Sequence, residues 1–357
     1  MGGPQSFTAL VALRTKRGEF RALETVNSAD QIHNVQPLLE FDPSNNFPSR
    51  QLDQVEKVIR KFHDFDRLVM VDASALTSSS SFGSATAGAL GELANRLAHP
   101  ADLFSQHEPI NFIPVIRHND SENRLSTLGH LSMELETGAA LRVQTSSMTA
   151  QEIEKVLTRI GLPLEKIDLI LDLQYVPKLT SYLADSTSIA LAHFTNFGAF
   201  RSTSLLSGSV PSFLKQTDSW HQDRHEELLW QEIIQNGATH VRFGDYGVVH
   251  PLASQGFRSK HVSFKYSCAK HWLYLRERGE EPGETEEPAE DSSRARTLRL
   301  ICQKLTESED FSGPDFSWGD KEIAIAAKGR GNKLGSTSTP VALATSHHLA
   351  YLAARAA

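Results

Sequence analysis

Carboxylates and cations recur along this 357-residue chain at the ends of short apolar runs. Glu40 closes PLLE and Asp72 closes LVMVD. Arg117 and His118 follow NFIPVI. Arg142 and Gln144 lie at the end of AALRV, and Asp172 and Gln174 at the end of IDLILDL. Asp245 and Tyr246 follow THVRFG, with His250 shortly after, and Arg14, Lys16 and Glu19 follow the first run, FTALVAL. Arginine and lysine beside carboxylates suit a substrate carrying phosphate or carboxylate, which arginine grips through two parallel N–H bonds. Asp or Glu beside a cation serves as general base or metal ligand. Oxygen ligands drawn from distant segments suit a hard divalent metal such as Mg, the one cofactor this chemistry suggests. Many buried charges without partners are costly, so such a set holds itself together, a metal, or a charged ligand. For any single residue a structural ion pair is the plainer account.

Other motifs carry less. The run 77–81 (TSSSS) reads as a loop, and 207–211 (SGSVP) lacks the GxSxG elbow of an α/β-hydrolase. The basic, Gly-rich 328–335 (KGRGNKLG) has no GK[ST] ending and is not a P-loop, although it would suit an anionic ligand. The segment 220–227 (WHQDRHEE) resembles a metal motif in composition only and reads as a solvated helix face. His347 and His348 are adjacent. On a helix they point about 100° apart, so one reads as a cap and the other, His348, as the site residue.

The elements that must position these residues alternate. Strand candidates are 7–13, 34–41, 68–72, 111–116, 139–143, 167–173, 188–194 and 239–243. Several are near-continuous apolar runs, as in parallel strands covered on both faces. Amphipathic segments lie between most of them. In 50–65, Leu52, Val55, Val58, Ile59 and Phe62 recur at helical spacing. The segments 85–97, 124–136, 150–160 and 226–235 behave alike, with Gly161 and Gly237 placed as C-cap glycines. Eight strand–helix units predict an α/β fold, a (β/α)8 TIM-like barrel with a C-terminal extension, over one domain spanning 1–357. An open doubly wound sheet is second, because RTKRGE after the first strand has no GxGxxG. On this assignment Thr195 and Asn196 follow the seventh strand. Beyond the eighth, 261–278 reads as a β-hairpin or edge extension and 296–307 as a helix. An Ala-rich helix over 340–356 closes the 310–357 segment. The stretch 279–293 has seven acidic residues and reads as a flexible, dispensable insertion.

Composition bounds the function. Net charge is −7 and pI about 6.1, which argues against a dedicated nucleic-acid coat protein. Two cysteines, Cys268 and Cys302, make no disulfide framework or Cys-rich zinc site. The opening MGGPQSFTAL has no signal-peptide pattern, and no apolar run is long enough to span a bilayer. A cytoplasmic protein without a membrane partner is expected.

The segments ALVALRTKRGEFRAL, PLLEF, LVMVDAS, RFGDYGVVHP and DFSWGD, with the His pair near the C-terminus, resemble the beta family of phage and bacterial proteins, named after a T4 phage beta protein. The resemblance runs from Phe7 to Tyr351. It implies an association with phages and with bacterial loci thought to include anti-phage defence, and no established reaction. Lys16, Glu19, Glu40, Asp72, Asp245, Tyr246, His250, Trp318, Gly319 and His348 occupy its motif positions.

Two functions follow as expectations. One is a hydrolase of a phosphoester, acting on an anionic, phosphate-containing substrate, a small molecule such as a nucleotide or a nucleic acid. Glu40, Asp72, Asp172 and Asp245 would do acid–base or metal work. Lys16, Glu19, Arg117, Arg142, Tyr246, His250 and His348 would bind the substrate. A glycosidase variant is less favoured by the surplus of cations. The other is a non-catalytic sensing component of a defence locus, working with a partner protein from that locus. Glu40, Asp72, Asp172, Asp245, Arg117 and Arg142 are expected to share one pocket.

Overall fold

The computed structural model describes residues 6–44, 47–76, 82, 87–99, 109–144, 148–252, 260–279, 292–331 and 333–355. The 77–81 run and the acidic residues 280–291 lie outside them, as does Asn332 within the basic Gly-rich segment.

The chain divides into two compact units. The first holds Met1–Thr15, Asn34–Ser209 and His225–Tyr246. The second holds Lys16–His33, Val210–Arg224 and Gly247–Ala357.

The first unit is a closed, all-parallel eight-stranded barrel. Its strands are β1 (Ala9–Arg14), β2 (Val35–Glu40), β3 (Met70–Asp72), β4 (Ile113–Arg117), β5 (Ala139–Val143), β6 (Ile167–Tyr175), β7 (Ser202–Gly208) and, after a strand of the other unit, β9 (Val241–Asp245). The expected (β/α)8 TIM-like barrel is therefore the fold. Helices α2 (Pro48–His63), α3 (Ala89–Ala98), α4 (Glu122–Glu134), α5 (Ala150–Ile160), α6 (Ser181–Thr195) and α7 (His225–Gln235) carry the crossovers. The sequence starts and stops them. Thr149 and Glu152 form a capping box on α5, and Gly161 ends it in the left-handed region at φ 71°.

One strand assignment fails. The run SIALAHF is the second half of α6, and the seventh barrel strand is the serine-rich STSLLSG of β7. A short apolar run does not by itself separate strand from helix. Here Thr180 accepts from Leu183 N at 3.2 Å and starts a helix that buries Ala184, Thr187, Ala190, Leu191 and Phe194 on one side. Thr195 and Asn196 thus end a helix instead of following a strand.

Alternation along each strand fills the barrel. Leu10, Ala12, Leu38, Met70, Ile113, Val115, Ala140, Ile170 and Leu206 form one buried cluster with Phe7 and Tyr246. Residues two apart face the same way. The next inward position beyond this apolar layer is therefore Arg14, Glu40, Asp72, Arg117, Arg142 or Asp172 on six of the strands.

The second unit has an antiparallel sheet in the order β10 (His261–Ser267), β11 (His271–Arg278), β8 (Asp218–Asp223). With it are α1 (Arg17–Thr25), α8 (Ser293–Thr306), α9 (Trp318–Ala327) and α10 (Thr339–Ala353). The expected hairpin and closing helix are both present. The expected helix face at 220–227 is instead most of β8 followed by the start of α7. Arg224 between them is fully buried, with its guanidinium over Trp272 and Tyr351 at 5.1 and 4.9 Å. No described helix is long and apolar enough to cross a membrane.

Candidate functional site

Arg142 projects from β5 with 1% of its side chain exposed. Its Nε donates to Asp172 Oδ2 at 2.9 Å, and its Nη2 lies 2.8 Å from the same oxygen. Nη1 donates to Glu40 Oε1 and, at 2.8 Å, to Asp72 Oδ2. Nη2 donates to Tyr246 Oη at 2.7 Å. Four of the five N–H groups of the guanidinium are thus hydrogen-bonded, and Nη2 adds the ion-pair contact to Asp172. Burial works against the charge, but Glu40, Tyr246, Asp172 and Asp72 together raise the guanidinium well above its ordinary value.

The carboxylates are equally committed. Asp172 also accepts from Tyr246 Oη at 2.7 Å, Gln144 Nε2 at 3.0 Å and Gln174 N at 2.9 Å. The last bond needs a bulge, and Gln174 adopts a left-handed φ of 57° where the β6–β7 register shifts. Asp72 accepts from Arg117 Nε at 3.0 Å and from Ser74 N at 3.0 Å. Burial alone would push the Asp72 carboxyl up. Arg117, Arg142 and Ser74 outweigh it and hold the group well below the usual carboxylate range. Burial and Asp172 raise the Tyr246 phenol well above its ordinary value, so it remains an O–H donor. Arg14 Nε lies 3.7 Å from Glu40 Oε2. Arg14, Arg117 and Arg142 therefore balance Glu40, Asp72 and Asp172.

Arg117 is the exposed arm of the cluster. A quarter of its side chain is open to solvent, and Nε and Nη2 both rest on Asp72. Its Nη1 has no partner among the described residues. Beside it, burial lowers the His118 pKa, and His118 Nδ1 accepts from Gln144 N at 3.4 Å. His118 also lines a cavity of about 300 Å³ with Asp120, Glu122, Glu152 and Lys155. Glu122 is engaged by Lys155 and Arg159 at 2.8 and 2.7 Å.

The structure thus brings together Glu40, Asp72, Asp172, Arg117, Arg142 and Tyr246. Asp245 does not join them. It alternates with Gly244 and Tyr246, which face inward, and shares its side with Phe243, packed against Trp230 of α7. A one-residue offset at a strand end turns a side chain to the opposite face. Arg14 and Gln144 are part of the cluster, and their strand-end positions were the available signal. Lys16, Glu19, His250 and His348 belong to the second unit. Lys16 is the N-cap residue of α1. Glu19 is buried in α1 and acts on half-buried Lys265, whose pKa desolvation lowers to about 8 against the pull of Glu19. His250 Nδ1 meets Val210 O at 2.8 Å. His348 stacks on Trp272 and Tyr351 within α10's buried face.

Neither member of the His pair caps a helix; both are buried within α10. His347 Nδ1 meets Asp320 Oδ2 and its Nε2 meets Ser267 O, each at 2.9 Å. Asp320 further accepts from Tyr266 Oη at 2.7 Å and Ser317 Oγ at 2.6 Å. This network ties α9, α10 and β10 together.

A closed α/β barrel with a charge-balanced cluster at the C-terminal ends of its strands defines the class of protein. The family model described as Beta protein matches residues 11–354, nearly the whole chain, and the chain belongs to that family. No curated protein matches the sequence at a significant level.

Proposed function

We propose that the barrel rim binds a small phosphate-bearing ligand, and that the chain serves as a cytoplasmic sensing component of an anti-phage system. A partner protein from the same locus would read the bound state. The observation that supports this reading is the engagement of buried Arg142 by Glu40, Asp72, Asp172 and Tyr246. A general base must be able to take a proton, ideally with a pKa near the working pH. Asp72 is held far below that range, and Asp172 already accepts bonds from four groups. Arg142 is itself the cation at the centre of the carboxylates, where Mg would otherwise sit. What the cluster offers is a charge-balanced floor with Arg117, a quarter of its side chain exposed, suited to one charge-assisted bond to a phosphate oxygen.

A phosphoester hydrolase is the second reading. It is favoured by the location, since barrel enzymes keep their chemistry at the C-terminal ends of the strands. Fold alone does not choose between them. The test is a thermal-shift and phosphate-release assay on the full chain, with nucleotides and short RNA and DNA oligonucleotides, with and without Mg. Binding without turnover is expected. Release of phosphate or cleaved product that Asp172→Asn abolishes would replace the sensing role with the hydrolase.

A further inference from the structure

Cys268 and His271 form a C-x2-H pair, and the hairpin makes a pair of facing ligands of it. Strands β10 and β11 are in register up to Ser267 opposite Trp272, and Cys268 N then donates to His271 O at 2.9 Å. Cys268 and His271 therefore oppose one another at the two ends of a two-residue turn, on one face. On the other side of β11, His221 of β8 pairs with Leu273, two residues from His271. That makes His221 and His271 diagonal neighbours on this same face, the spacing at which two side chains meet. Their rings are 4.2 Å apart.

Asp310, in the turn after α8, closes the group. Its Oδ2 lies 3.0 Å from His221 Nε2 and its Oδ1 lies 3.1 Å from His271 Nε2. The three ligand atoms are all within 4.8 Å of one another, and no other such group occurs among the described residues. The Cys268 thiol stands beside this group without belonging to it, and its Sγ donates to Tyr266 O at 3.8 Å. Part of the group reaches solvent, with 59% of the His221 side chain exposed, so an ion has a way in.

Two imidazoles, a carboxylate and a thiol are the donors that zinc takes in four-coordinate sites. Magnesium and calcium want oxygen from nearly every ligand, and here one residue supplies it. We propose that His221, His271 and Asp310 bind one zinc-class divalent ion that fastens β8, the β10–β11 hairpin and the turn after α8, with the Cys268 thiol leaving Tyr266 O and turning in as the fourth ligand. On binding, each Nε2 presents its lone pair and Nδ1 carries the ring proton. The metal–Sγ bond forms as the S–H bond breaks, and that proton leaves to solvent.

The test uses the full chain after dialysis against a chelator, titrated with Zn(II) by calorimetry and with Co(II) by absorption. One equivalent of metal is expected, with the visible bands of tetrahedral Co(II) and a thiolate-to-cobalt charge-transfer band. Cys268→Ser should keep the visible bands and lose the charge-transfer band. His221→Ala and His271→Ala should each weaken binding by at least about tenfold. Should those variants fail to fold, the wild-type chain still decides, because Zn(II) must raise its melting temperature by mass action. An unmoved melting temperature, no uptake, or uptake unchanged in both histidine variants would overturn the site. A charge-transfer band surviving in Cys268→Ser would overturn the four-ligand set.

Discussion

Replacing Asp172 by Asn takes one carboxylate from a buried guanidinium and leaves the remaining charges unbalanced. Losing one partner of such a buried pair costs about 3–5 kcal/mol. Urea unfolding of the variant should show that loss, and a fully stable variant would mean Arg142 does not depend on Asp172. Asp72 makes a second prediction, about acid. Its folded pKa lies below the unfolded value near 3.8, so its stabilisation is fully present above that value. It is lost as pH falls through the depressed folded pKa. Melting temperature against pH should drop steeply below about pH 4, and Asp72→Asn should flatten that drop while lowering stability at neutral pH. An unchanged acid limb in the variant would assign acid sensitivity to other groups.

At the scale of elements, α4 and α5 cross where Gly129 has no side chain. A Cβ there would stand 2.0 Å from Ile160 O, a backbone atom that cannot swing aside. Alanine is worth about 1 kcal/mol over glycine in a helix, but overpacking of this kind costs about 1–3 kcal/mol. Gly129→Ala should therefore lower the melting temperature, and a rise would show that the two helices can separate cheaply. The same contrast between pattern and packing explains what was legible in the sequence. Barrel strands such as IDLILDL are near-continuous apolar runs and stand out, as do α2 and α5 with their strong periodicity. STSLLSG carries no such run, because its inward and outward positions are filled by serine and threonine as well as leucine. At the rim, strand ends announced Glu40, Asp72, Arg117, Arg142 and Asp172, since each follows an apolar run. The facing of Asp245 depended on where a strand ends to within one residue, which apolar patterning does not resolve. His221, His271 and Asp310 are far apart in the chain, and only the pairing of β8 with β11 brings the histidines together.

At the scale of the whole chain, the two units are interleaved. The second takes Lys16–His33 and Val210–Arg224 from within the span of the first. Within that unit, β8 pairs with β11 and α1 packs on α10. A chain cut after Tyr246 keeps β8 and α1 and loses their partners. The truncated chain should aggregate or lose its cooperative melting transition, as read by size-exclusion chromatography and circular dichroism. A monomeric fragment melting as sharply as the full chain would show the barrel to be independent.

The central claim, that the rim is a binding site with Arg117 as its contact to an anion, is tested most directly by calorimetry. Nucleoside mono-, di- and triphosphates are titrated into the full chain and into Arg117→Ala, and the ligand is recovered afterwards to check that it is intact. One charge-assisted hydrogen bond is worth about 1.5–3 kcal/mol. The account predicts stoichiometric binding of at least one phosphate-bearing ligand, recovered unchanged and weakened roughly ten- to a hundredfold in Arg117→Ala. No binding to the wild-type chain, or binding of equal strength in the variant, would contradict it.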